Sequence, residues 1–187
     1  FKKQDRLKVL DLGSGTGNLS QEIVSAYPNA RIMCIDMAEN MIKMAKAKLG
    51  ERDNVKFWLG DIRDFDYSGR YDVIVASLVL HHIDKEDKPR FYRKLHNALS
   101  RKGVFFCIDI LLSSNKSLQK LHMDKWKEFM RVNGLPQKTI ADMIRRHQIE
   151  DRPVIFEEEL GLMRKAGFRG IDVVLKYYNF VLYCGKR

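Results

Sequence analysis

Between Val9 and Asn18 the chain reads Val-Leu-Asp-Leu-Gly-Ser-Gly-Thr-Gly-Asn. An aliphatic run carries Asp11 into three glycines at alternate positions, and an apolar helical pattern starts at Leu19. This order predicts a buried strand, a tight turn, and a helix whose first N–H groups remain open to a ligand. Gly13, Gly15 and Gly17 let the backbone take positive φ and come close to whatever binds there. The spacing is G-x-G-x-G, whereas the dinucleotide fingerprint G-x-G-x-x-G has its third glycine one position later. The ligand near these glycines therefore need not be a pyrophosphate.

The same strand-and-helix unit repeats along the chain. Lys8 to Leu12 is the first predicted strand, and Asn18 to Tyr27 a helix with Leu19, Ile23 and Val24 on one face, stopped by Pro28. Arg31 to Asp36 is a second strand ending in a carboxylate, and Ala38 to Leu49 a helix carrying Met41, Met44, Ala45 and Lys48 at helical spacing, ended by Gly50. Val55 to Leu59, Tyr71 to Ser77 and Gly103 to Ile110 supply three more strands. The helix Lys88 to Leu99 turns Phe91, Leu95 and Leu99 inward. Near-continuous apolar strands alternating with helices imply a parallel sheet covered on both faces. In such sheets ligands gather beyond the strands' carboxyl ends. Asp11, Asp36, Asp61 and Ser77 come from four strand ends and face one crevice.

The tail breaks this rhythm. Ser117 to Val132 is read as a helix with Leu118, Leu121, Lys125, Phe129 and Val132 on one stripe and Trp126 and Met130 beside it. A second helix runs from Pro136 to His147 and a third from Pro153 to Ala166, closed by Gly167. Ile171 to Tyr177 and Phe180 to Cys184 form a hairpin around Tyr178-Asn179. The expected architecture is one α/β domain over residues 1–187, a Rossmann-like sheet of seven strands, mostly parallel, with an antiparallel C-terminal hairpin. Residues 113–152 form a helical cap inserted after the fifth strand.

The motif D-L-G-S-G-T-G, with carboxylates at the next two strand ends, resembles the class I S-adenosylmethionine-dependent methyltransferases of small molecules. The resemblance implies an enzyme that binds S-adenosylmethionine and releases S-adenosylhomocysteine. It places Asp11, Gly13, Ser14 and Gly15 at the methionine end, with Asp11 tied to the ammonium. It assigns the ribose diol to Asp36, the adenine to Met37, Asp61 and Ile62, and the floor of the sulfonium pocket to Ser77. Methyl transfer is a one-step displacement in which the protein chiefly aligns the reactants and excludes water. A base is needed only if the acceptor stays protonated. His82 is the candidate base. A packing histidine is the competing reading, and two adjacent histidines on a strand point apart, so no metal site is expected.

Under the cap, Trp126, Arg146 and Tyr178 are the candidate substrate contacts. Trp126 at this spacing reads equally as core, and Arg145-Arg146-His147 as a solvated face. The first functional reading is methyl transfer to an O, N or C nucleophile of a small molecule. A second resemblance lies in Asn133-Gly134-Leu135, Ala166-Gly167-Phe168 and Tyr178-Asn179-Phe180, which are similar to the C-terminal half of carboxy-S-adenosylmethionine synthases. Those enzymes modify the cofactor and place an arginine on its added carboxylate, at Arg145 or Arg146 here. The ordinary methyltransferase form of the glycine loop departs from them, so shared ancestry of the cap is the reading adopted.

The net charge of +10 keeps an RNA methyltransferase as a rival. Between Lys85 and Lys102 seven basic residues stand against two acidic ones, yet Arg90, Arg93 and Lys94 share the solvated face opposite Phe91 and Leu95. A cofactor-binding protein without turnover is the non-enzymatic alternative. The three cysteines (Cys34, Cys107, Cys184) are far apart and lie in predicted strands, as buried thiols of a cytoplasmic protein would. No apolar run approaches the ~20 residues of a membrane helix, and no signal peptide is visible. The chain opens at Phe1 without a methionine, which leaves room for a preceding segment. Oligomeric state is not encoded in these patterns.

Overall fold

A computed structural model of the protein describes residues 1–50 and 52–187. Seven strands form one sheet in the order β3-β2-β1-β4-β5-β7-β6. They are β1 (Lys8–Leu12), β2 (Arg31–Asp36), β3 (Val55–Leu59), β4 (Tyr71–Ser77), β5 (Leu99–Ile110), β6 (Arg169–Tyr177) and β7 (Phe180–Lys186). The first five are parallel, and β7 runs antiparallel to both β5 and β6. The chain reverses its direction of travel across the sheet between β1 and β4, so the topological switch point lies at their carboxyl ends. The described helices are α1 (Asn18–Ala26), α2 (Glu39–Leu49), α3 (Lys88–Ala98), α4 (Lys116–Val132), α5 (Gln137–Glu150) and α6 (Phe156–Ala166).

Alternation along each strand splits the core in two. Leu10, Leu12, Ile35, Ile74 and Phe105 point to one face, where α3 and α6 cover them with Phe91, Leu95 and Met163. Burying each such side chain fully is worth about 1.5–3 kcal/mol, which makes this layer the main source of cohesion. Val9, Ile32 and Cys34 point to the opposite face, under α1. On that second face the expected cover is incomplete. Val73, Val75, Phe106, Ile108 and Leu182 line an apolar groove of about 440 Å³ beside Leu19 and Ile23 of α1.

A polar knot sits inside the first layer. Lys88 of α3 donates to both oxygens of Glu159 of α6 at 2.9 and 3.1 Å, while the Tyr92 and Tyr183 hydroxyls donate to Glu159 at 2.5 and 3.1 Å. All four residues are fully buried. Such a pair gains little net stability over apolar packing, but one member left alone would be costly.

Several element bounds differ from the sequence reading. In α2 the buried residues are Ile42, Ala45 and Leu49, and Met44 is exposed. β5 begins at Leu99, because Leu99 already pairs with Tyr71 across an irregular register. α6 begins at Phe156; Ile155 before it is extended and bridges to Leu112. α5 continues to Glu150, one turn past His147. The largest difference is α4. Leu118, Leu121, Phe129 and Val132 are exposed, and Met130 beside them is buried. The helix meets α5 and the hairpin turn through its Trp126–Met130 side, so the stripe the periodicity marks is not the face that packs.

Candidate functional site

The glycine loop follows β1 at the switch point. Gly13, Gly15 and Gly17 have φ of 63°, 53° and 78°, left-handed values that explain glycine at each position. A side chain at Gly13 would stand 2.6 Å from Val79 of the segment after β4, so the loop and that segment are in close packing. A Cβ at Gly15 would meet nothing within 4 Å among the described residues, which marks it, of the three loop glycines, as the one facing open space.

Asp36, at the end of β2, accepts from Gly15 N–H at 2.8 Å and from Ala38 N–H at 2.9 Å. One carboxylate thus joins the glycine loop to the start of α2. Met37 beside it is exposed. At the end of β3, Asp61 is clamped by the Arg63 guanidinium at 2.5–3.0 Å and accepts from Arg63 N–H at 2.8 Å. That bonding holds the Asp61 carboxyl below its ordinary range, so it is an acceptor at neutral pH. Ile62 is buried in the main core.

Asp11 lies under the loop rather than on its surface, at 1% exposure. The Ser20 hydroxyl of α1 donates to one oxygen at 2.6 Å. The other oxygen, and the buried Ser14 hydroxyl, have no hydrogen-bond partner among the described residues. Burial, countered by Ser20 and reinforced by Asp36, pushes the Asp11 carboxyl up to about 7. Two unpartnered oxygens at one loop are costly to leave buried, and donors arriving from a ligand would relieve them.

Ser77 ends β4 half-buried. The next residue, Leu78, has φ of 53°, a left-handed value unusual for leucine, and its N–H bonds to Ile108 O at 2.9 Å. Here the expectation for the histidines fails. The strand does not continue; Leu80–His82 form a single 3-10 turn. The His81 and His82 rings consequently lie side by side with centroids 4.1 Å apart, instead of on opposite faces. His81 is buried and its Nδ1 meets Asp109 Oδ1 at 2.5 Å. His82 is half exposed, and burial of its other half, together with His81, lowers its basicity.

A carboxylate at the end of α5 joins the two rings. Asp151, at the end of α5, comes within 3.7 Å of His81 Nε2 and 3.6 Å of His82 Nδ1. Sequence reasoning passed over Asp109 and Asp151. Asp109 carries a readable signal, a lone carboxylate inside the apolar run Val104 to Ile110, whereas Asp151 follows a helix whose end periodicity did not reach.

The substrate candidates divide. Trp126 and Tyr178 line an apolar cavity of about 280 Å³ with His122, Phe129, Tyr177 and Phe180. Ile110 pairs with Phe180, so the hairpin turn at Tyr178-Asn179 rises beyond the carboxyl end of β5, the edge that also carries the glycine loop. His122 Nδ1 lies 2.9 Å from Asn179 Oδ1, which fastens α4 to the turn. Arg146 is exposed on α5 and is not among the cavity's lining residues.

Residues 3–159 match a family described as a methyltransferase domain. The chain is 30% identical to a carboxy-S-adenosyl-L-methionine synthase of Nautilia profundicola over 96% of its own length and 76% of that protein's. In structure it is similar to an S-adenosylmethionine-dependent methyltransferase from Mesorhizobium loti, with TM-score 0.72 at 16% identity, covering 100% of this chain and 94% of that one. It is similar also to human N-acetylserotonin methyltransferase in complex with SAM, with TM-score 0.66 at 19% identity, covering 96% and 47%. The chain spans about half the length of several solved structures it matches.

Proposed function

The chain belongs to the methyltransferase-domain family of S-adenosylmethionine-dependent enzymes, and we propose that it methylates a small acceptor with an apolar or aromatic body. The single observation that carries this reading is the aromatic cavity between α4 and the β6–β7 turn, at the same sheet edge as the glycine loop. In this reading residues 1–187 act as one domain and α4 with α5 is its cap. Aromatic walls with few polar groups suit a flat or aliphatic molecule better than a nucleic-acid backbone.

The crevice fits the cofactor on the chain's own terms. Asp11 Oδ1 and Ser14 Oγ are buried and unpartnered, and Gly15 faces open space. Bound S-adenosylmethionine supplies an electrophilic methyl on a sulfonium, together with an ammonium, a ribose diol and an adenine. Asp11, beneath Gly13 to Gly15, favours the ammonium through its field. Asp36 accepts from the ribose diol with the lone pairs its backbone donors leave free. Asp61, oriented by Arg63, accepts from the adenine amino group, and Met37 and Ile62 bound the ring. Ser77 floors the methyl-transfer point. Trp126 and Tyr178 hold the acceptor in line and exclude water, and Arg146 stands on the exposed side of the cap. For an acceptor that is still protonated, His82, uncharged at neutral pH, receives the proton.

Modification of the cofactor itself is the second reading, favoured by similarity to a carboxy-S-adenosyl-L-methionine synthase along nearly the whole chain. One experiment separates the two. The protein is incubated with methyl-labelled S-adenosylmethionine and, in parallel, total RNA and a low-mass metabolite extract. Label in a metabolite supports the proposal; label in RNA refutes it. A cofactor that gains a carboxyl group by mass spectrometry, with no methylated product, moves the function to the second reading.

A further inference from the structure

We propose that His81, His82 and Asp151 form a binding site for a divalent transition metal of the zinc class, closing the cap onto the sheet. The three donor atoms lie within 4.8 Å of one another. His81 Nε2 and His82 Nδ1 stand 3.7 and 3.6 Å from the same oxygen, Asp151 Oδ1. These separations are too long for hydrogen bonds. They lie instead at the long end of the edge of a tetrahedron, about 3.3–3.6 Å for metal–ligand bonds of about 2.0–2.2 Å. An octahedral ion with similar bonds would need its neighbours at about 3 Å.

Two of the three ligands, His81 and Asp151, are held from behind. Asp109 Oδ1 accepts from His81 Nδ1 at 2.5 Å and also from Ile110 N–H at 2.8 Å. With the proton on Nδ1, Nε2 turns a lone pair toward the Asp151 oxygen. A lone pair and a carboxylate oxygen facing each other across 3.7 Å repel unless a cation lies between them. The other Asp151 oxygen accepts from His147 Nδ1 at 2.7 Å. A carboxylate behind a ligating histidine, and a donor behind a ligating carboxylate, are the outer partners that tune such sites. The arrangement is also preformed, because Arg152 N–H bonds to His81 O at 2.6 Å and fixes the end of α5 against the turn.

The donor set chooses the ion. Two imidazoles and one carboxylate suit zinc and its transition-metal neighbours, whereas magnesium and calcium prefer oxygen alone. Three protein ligands leave a fourth position for water or for an oxygen of a bound molecule. The half-exposed His82 gives the entry path. Val79, two residues before His81, packs at Gly13, so an ion here would link cap, post-β4 turn and glycine loop as one unit. With Nδ1 on the ion His82 has no lone pair left for a proton, so the ion and the base role of His82 are alternatives.

The test is titration of the chelator-stripped full chain with zinc chloride by calorimetry, and with cobalt(II) by visible absorption. The expected result is one zinc per chain and the intense absorption of four-coordinate cobalt. His82→Ala, at a half-exposed position, and Asp151→Asn should each weaken zinc binding at least tenfold and abolish the cobalt band, with circular dichroism unchanged. Asp109→Asn should weaken binding about 10–100-fold while keeping the stoichiometry. Absence of stoichiometric binding, or equal affinity in wild type, His82→Ala and Asp151→Asn, overturns the proposal and leaves a hydrogen-bonded cap contact only.

Discussion

Replacing Asp11 by asparagine tests the glycine loop most sharply, because stability and ligand binding should move in opposite directions. Burial raises this carboxyl from its ordinary 3.8 to about 7. The folded chain therefore holds the proton more tightly than the unfolded chain does. Stability from this group is present below about pH 4, falls as pH rises, and is fully lost above about pH 7. At about 1.4 kcal/mol for each pH unit, the ionised form costs the apo protein about 4 kcal/mol at pH 8. Asparagine removes that charge but sets an amide N–H where Asp11 Oδ1 now lacks a partner, at a cost of about 1–3 kcal/mol. The variant should thus be about 1–3 kcal/mol more stable than wild type at pH 8, and less stable by about 0–2 kcal/mol at pH 4.5, where the wild-type group has lost only about 1 kcal/mol. Urea denaturation at both values, followed by the fluorescence of Trp58 and Trp126, reads the crossing. Calorimetry with S-adenosylhomocysteine reads the other side: affinity should drop at least tenfold in the variant, and in wild type it should rise from pH 6 to pH 8 as Asp11 ionises. Equal destabilisation at both pH values, with unchanged affinity, would refute the idea that a desolvated charge waits under the loop for a cation.

Three further changes probe neighbouring parts. Asp36→Ala should weaken S-adenosylhomocysteine binding by about 1.5–3 kcal/mol, since a charge-assisted acceptor is lost; calorimetry checks it. Gly13→Ala forces a left-handed residue whose Cβ meets Val79 at 2.6 Å, and should lower stability by about 2–4 kcal/mol in thermal or urea denaturation. Lys88→Met leaves Glu159 charged and buried, and should cost about 3–5 kcal/mol by urea denaturation at pH 7; the double variant Lys88→Met with Glu159→Gln should recover part of it.

The half of the chain up to Ile110 was legible because two periodicities acted together. Apolar strands separated by helices leave few topologies, and right-handed crossovers then force every strand's carboxyl end to one edge. Asp36 and Asp61 could be placed at the carboxyl edge of the sheet on that ground alone. The burial of Asp11 could not, since the partner that draws it under the loop, Ser20, reads as an ordinary helix residue. In α4 the signal inverted. Leu118, Leu121, Phe129 and Val132 look like a core stripe, but α4 rests on a hairpin turn and one other helix, and aromatic residues beside the stripe make the contact. Amphipathicity shows that a helix has an apolar face, and only the neighbours decide whether that face is covered.

The histidine cluster shows how a single backbone angle can hide a side-chain cluster from sequence. Along a strand, side chains alternate by half a turn, and His81 and His82 would serve opposite faces. Leu78 at φ 53° ends the strand one residue after Ser77, and the chain then coils at about three residues per turn. Successive side chains now differ by about a third of a turn, enough to bring both rings to the same side. Asp109 and Asp151 arrive from distant parts of the chain, separations over which no local pattern operates. The strained leucine is therefore the element to disturb. Leu78→Gly relieves the left-handed conformation without moving any ligand atom by itself. Glycine also frees the backbone to leave that region, so this variant should loosen the turn and weaken zinc affinity, whereas Leu78→Asn, which favours left-handed φ, should retain it.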